Sequence, residues 1–123
     1  MTDFKFLDSS IWISYFFDGL YKEIIDGDNA LLVSSLSLFE IKKKLIKEKI
    51  SNAVIEEQIN FVKRKCVVIF VSDKIAELAA EISSKNELHT ADSIVYSTAL
   101  LSKAELYTLD NDFRGLKNVV VFG

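Results

Sequence analysis

The 123-residue sequence has no proline, one cysteine, one histidine and only four glycines. A lone Cys66 excludes an internal disulfide and a multi-cysteine zinc centre, and its neighbours Val67, Val68 and Ile69 place it in an apolar strand as a small hydrophobe. A lone His89 argues against paired-histidine acid–base chemistry and histidine-rich metal sites. Without proline, and with glycine only at positions 19, 27, 115 and 123, nothing reads as a linker, a low-complexity tract or a repeat. No apolar run approaches the ~18 residues of a membrane span, and the stretch from Met1 to Phe6 lacks the pattern of a signal peptide. The expectation is a cytoplasmic protein without membrane contact, whose chemistry falls to carboxylates, hydroxyls and lysines.

The length suits a single domain over residues 1–123, and 50% hydrophobic residues suffice for its core. Nine phenylalanines and a positive mean hydropathy exceed what so small a core hides, so apolar surface is expected to meet a partner or a second copy. The formal charge of −3 has the wrong sign for a general nucleic-acid coat, so any basic surface must be local. Strand-like runs at Phe4–Leu7, Ala30–Val33, Val67–Val71, Leu106–Leu109 and Val119–Phe122 are separated mostly by segments long enough for helices. The order is α/β, with a mainly parallel sheet and helices on both faces. Helices are expected over 10–17, 20–25, from about Ser37 onward, and over 51–65, 73–85 and 91–102.

Asp8, Glu40, Asp92 and Asp110 sit where hydrophobic runs end. Ligands of open parallel sheets bind at the carboxyl ends of the strands. Asp8 and Asp110 directly follow strands, and the helices bearing Glu40 and Asp92 could begin at the same edge. Carboxylates gathered away from water raise one another's pKa unless a cation resides among them. An all-oxygen set selects Mg²⁺ or Mn²⁺, a combination suited to phosphodiester hydrolysis by metal-activated water. Each acid also has an ordinary explanation. Ser37 and Glu40 have capping-box spacing, Thr90 could cap the helix carrying Asp92, and Asp8 and Asp110 could be turn or cap residues. Lys42, Lys43, Lys44, Lys47 and Lys49, with Lys63, Arg64 and Lys65, could hold a nucleic-acid backbone or simply face solvent.

The strings Phe6-Leu7-Asp8-Ser9-Ser10, Ser37-Leu38-Phe39-Glu40-Ile41, His89-Thr90-Ala91-Asp92-Ser93-Ile94-Val95 and Tyr107-Thr108-Leu109-Asp110-Asn111-Asp112-Phe113 together resemble the PIN-domain nucleases, most closely the VapC toxins of prokaryotic toxin–antitoxin pairs. The resemblance spans nearly the whole chain. It implies a three-layer α/β/α sandwich, a metal-dependent endoribonuclease acting on RNA, a homodimer, and an antitoxin that blocks the active groove. It further implies Asp8 and Asp92 as principal metal ligands, Glu40 as third acid and Asp110 as fourth. Asp112 is either a further ligand or the cap of a short helix before Phe113, and Ser9 and Thr90 are supporting hydroxyls or helix caps. Trp12, Tyr15 and Phe16 are expected in the core or on the dimer surface. Three other functions fit some of these features: a PIN nuclease of ribosomal RNA processing, a catalytically silent interaction module, and a phospho-receiver with Asp73 after its third strand. Receivers need paired acids at the end of strand one, whereas Asp8 is followed by Ser9 and Ser10.

Overall fold

The computed structural model describes residues 4–123. In chain order the elements are β1 (Phe4–Leu7), α1 (Ser9–Asp18), α2 (Lys22–Asp26), β2 (Ala30–Ser34), α3 (Ser35–Lys47), α4 (Asn52–Lys65), β3 (Cys66–Ile69), α5 (Asp73–Asn86), α6 (Thr90–Leu101), β4 (Glu105–Thr108), a 3₁₀ turn (Asn111–Phe113) and β5 (Val119–Val121). The strands form one all-parallel sheet in the order β3-β2-β1-β4-β5. Side chains of successive strand residues leave on opposite faces, so each pair feeds two cores. Leu7 and Val33 pack on one face with Ile11, Trp12, Ile41, Leu45 and Val62. Phe6, Leu32 and Leu106 pack on the other with Val95, Tyr96, Ala99 and Phe113. The result is the three-layer α/β/α sandwich.

This strand order disposes of the phospho-receiver, whose doubly wound sheet runs 2-1-3-4-5. Here the chain winds from β1 outward through β2 to β3, then returns to place β4 on the other side of β1. The switch point, where α/β folds hold ligands, therefore lies between the carboxyl ends of β1 and β4. Asp8 and Asp110 stand at that crevice.

Several boundaries differ from the sequence expectation for local reasons. The third strand stops at Ile69 rather than Val71, because its partner β2 ends at the Ser34–Ile69 pair and turns into α3. The Val71 N–H donates instead to Ser35 Oγ at 3.3 Å. The second helix starts at Lys22 rather than Leu20, since Tyr21 takes a left-handed φ of 65° and packs at a tilt against Phe122, ring centres 5.1 Å apart. The fourth strand ends at Thr108 because Leu109 turns toward α1, its N–H donating to Ser10 Oγ. Apolar surface does remain outside, led by Phe70 at 76% exposure and Phe39 at 60%. Trp12 is wholly buried against Tyr15, Phe16 and Phe61, so it belongs to the core. Cys66 is half-buried at the sheet edge, and burial pushes its thiol up to about 12.

Helix α1 ends on Gly19, whose N–H donates to Tyr15 O at 3.1 Å and whose φ of 68° turns the chain so that the Leu20 N–H faces Ser14 O at 3.5 Å. A Cβ there would meet nothing within 4 Å, so only the backbone conformation opposes substitution. Gly19→Ala is expected to lower stability in urea unfolding by about 1 kcal/mol. An unchanged midpoint would mean that the turn readily adopts another form. Among the described residues no helix is long and apolar enough to cross a membrane.

Candidate metal centre

Asp8 is the most enclosed of the acids. It is 7% exposed and caps α1, with Oδ1 accepting the Ser9 N–H at 2.8 Å. Its other oxygen, Oδ2, accepts from Thr108 Oγ1 at 2.7 Å and from Ser10 Oγ at 2.9 Å. Burial raises the Asp8 pKa, the three hydrogen bonds oppose that rise, and the charge of Asp110 adds to it. The cap reading and the site reading thus coexist in one residue.

Glu40 does not form a capping box. Strand β2 passes into α3 with no loop between them, so the helix begins at Ser35 and Ser34 is its cap, accepting the Leu36 N–H at 3.1 Å. Glu40 is consequently in the second turn, too far along to reach back to the helix start. Ser37 is buried, and its hydroxyl has no hydrogen-bond partner. Glu40 instead leans toward α1, where Oε1 accepts from Ser9 Oγ at 3.1 Å. Its pKa is raised by burial and then by the charge of Asp8. Ser9 joins the two acids, its amide held by Asp8 and its hydroxyl by Glu40.

Asp92 lies in the first turn of α6, where the macrodipole favours a negative charge. It shares a compact group with Asp110 and Asp112, one oxygen from each lying within 4.8 Å of the others. Burial, reinforced by the charges of Asp110, Asp8, Asp112 and Glu40, lifts the Asp92 pKa from 3.8 to about 6. All five carboxylates therefore belong to one electrostatic neighbourhood, although Asp8 and Glu40 stand outside the compact trio. Among the described residues the ion pairs are Lys44–Glu48 and Lys65–Asp26, neither involving these acids. Gathered anions with no protein cation to offset them suit a divalent ion with oxygen ligands.

The structure corrects the supporting residues. The residue before α6 is His89, which makes no side-chain cap; Thr90 is the first helical residue, exposed, and holds none of the carboxylates. The 3₁₀ turn is capped by Asp110, whose Oδ1 accepts the Asp112 N–H at 2.9 Å, so Asp112 is exposed and free of that duty. Sequence reading missed Ser10 and Thr108. The signal was present in the parallel pairing of β1 with β4, which sets Leu7 against Tyr107 and hence Asp8 beside Thr108.

Lys42, Lys43, Lys44 and Lys47 lie on α3, and Arg64 lies on α4. Lys42, Lys43 and Lys47 are exposed along α3, with the Lys43 ammonium 5.7 Å from the centre of the Phe39 ring. Lys44 is paired with Glu48 at 3.3 Å, and the Arg64 guanidinium lies 6.0 Å from the centre of the Phe61 ring.

Residues 5–119 match the family model of the PIN domain, and the chain belongs to that family. No curated protein matches the sequence. Solved structures with the same fold include a toxin–antitoxin complex from Klebsiella pneumoniae, 23% identical over 95% of this chain and 96% of that one, with a TM-score of 0.81. VapBC2 from Rickettsia felis, bound to a DNA fragment from its promoter, is 18% identical over 97% of both chains, with a TM-score of 0.78. The Mycobacterium tuberculosis toxin VapC20, which cleaves the sarcin–ricin loop, is 15% identical over 92% of this chain and 95% of that one, with a TM-score of 0.73.

Proposed function

We propose that this chain is a Mg²⁺- or Mn²⁺-dependent endoribonuclease, the VapC-type toxin of a toxin–antitoxin pair, folded as a single domain and acting in the cytoplasm. The observation that carries the reading is the gathering of Asp8, Glu40, Asp92, Asp110 and Asp112 at the switch point with no lysine or arginine paired to them among the described residues. Asp92, Asp110 and Asp112 offer the nearest set of oxygens for a cation, and Asp8 and Glu40 add charge and ligand capacity beside them. A divalent ion held by these carboxylates would supply Lewis acidity and positive charge for hydrolysis of a phosphodiester bond. The chain's own part is to hold its carboxylates in place, with Ser9 linking Asp8 to Glu40, and to keep the substrate backbone close. Exposed Lys42, Lys43 and Lys47 on α3, with Arg64 on α4, would contact RNA phosphates. By the resemblance to VapC toxins, the products carry a 5′-phosphate and a 3′-hydroxyl.

The toxin assignment draws support from relatives of the same fold solved as toxin–antitoxin complexes. The exposed Phe70 and Phe39 leave apolar surface for an antitoxin and for a second copy in a homodimer. The test is incubation of purified protein with transfer, ribosomal and messenger RNAs, with Mg²⁺, Mn²⁺ or EDTA, followed by sequencing of fragment ends. Metal-dependent cuts at defined positions are expected. Equal cleavage in EDTA, or none with either metal, would sink the proposal.

A further inference from the structure

Around Asp8 the donors and acceptors can be counted, and the count fixes which way two protons point. Thr108 Oγ1 accepts the Asp110 N–H at 3.0 Å, and Ser10 Oγ accepts the Leu109 N–H, also at 3.0 Å. An amide N–H can only donate, so one lone pair of each hydroxyl is occupied and its single proton must go elsewhere. The nearest acceptor for both is the same oxygen, Asp8 Oδ2, at 2.7 Å from Thr108 and 2.9 Å from Ser10. The two hydroxyls lie 3.4 Å from each other, longer than a good O–H···O bond, and compete weakly with that arrangement. Oδ2 therefore has both lone pairs filled. Oδ1 receives only the Ser9 N–H, and the unused acceptor capacity of Asp8 is on that atom.

We propose that Thr108 and Ser10 are positioning residues, which fix the Asp8 carboxylate so that Oδ1 is the oxygen presented to a divalent cation, and which lock the β1–α1 turn to the turn bearing Asp110. The inference rests on the metal-centre reading above and adds two residues that act through Asp8. Thr108 is fully buried, so water cannot take over its hydroxyl's place.

The experiment measures Mn²⁺ affinity by electron paramagnetic resonance on purified chain at fixed pH, alongside thermal melts. Thr108→Val keeps the shape and β-branching of the side chain but not its proton, whereas Thr108→Ser restores the hydroxyl. Thr108→Val is expected to weaken Mn²⁺ binding roughly ten- to hundredfold, with Thr108→Ser recovering most of it. A lowered melting temperature with wild-type Mn²⁺ affinity in Thr108→Val would overturn the proposal and leave the hydroxyl a purely structural one. Should Thr108→Val not fold, Ser10→Ala decides, because Ser10 is only half-buried in the first turn of α1. Unchanged affinity in Ser10→Ala then overturns the proposal, and a loss of similar direction supports it. If the unmodified chain itself binds no Mn²⁺, the metal-centre reading fails first and takes this inference with it.

Discussion

Asp92→Asn is expected to reduce metal-dependent RNA cleavage by at least about a thousandfold in kcat/KM while the protein stays folded. A thousandfold loss corresponds to about 4 kcal/mol of transition-state stabilisation, the scale on which a metal's charge acts. The substitution is nearly isosteric and removes one anion from the trio of Asp92, Asp110 and Asp112. Asp8→Asn is expected to be equally damaging but reads less cleanly. It turns an acceptor into a possible donor facing the protons of Thr108 and Ser10. Cleavage by Asp92→Asn at the wild-type rate, with contaminating nuclease excluded by a mock purification, would remove Asp92 from the site.

The same crowding predicts that, in EDTA, the protein loses stability as pH rises from about 4 to about 6. Asp92 keeps its proton in the folded chain up to about 6, whereas in the unfolded chain it releases it near 3.8. Between those values the folded state binds more protons, so stability is fully present below 3.8 and is lost as pH rises through the folded value. Asp8 and Glu40, raised chiefly by burial, act in the same direction. Asp92→Asn should flatten this slope and, at pH 7.5 in EDTA, melt at the wild-type temperature or a few degrees above it. Melts of both proteins across the interval check the sign. Wild-type stability that climbs from pH 4 to 6, or marked destabilisation by Asp92→Asn or Glu40→Gln, would favour helix-end and structural roles for these acids.

Much of the fold was legible because the strands carry their own punctuation. Phe4–Leu7 ends on an acid that is also a helix cap, and both Ser51 and Ser72 cap helices through their side chains, accepting from Val54 and Ile75. Legibility failed where several residues compete for one role. Ser34, Ser35 and Ser37 can each start a helix, and the choice fell to Ser34 because β2 pairs with β3 through Ser34. The acids could be picked from the sequence because charge at the end of an apolar run is conspicuous. Their supporting hydroxyls could not, since Ser10 and Thr108 are 98 positions apart and meet only through the strand register. Thr90 drew attention by its nearness to Asp92, but residues two apart in a helix point about 200° apart, onto nearly opposite faces.

The register that sets β4 beside β1 also has a consequence in time. Translation at about 5–20 residues per second separates the appearance of Asp8 from that of Asp110 by roughly 5–20 s. Through that interval β1 and β2 can pair, yet the pocket is missing one wall. On the proposed reading, a nascent chain, or one cut short before its fourth strand, lacks the Asp110 side of the site and would be inert until β4 has been made and paired with β1.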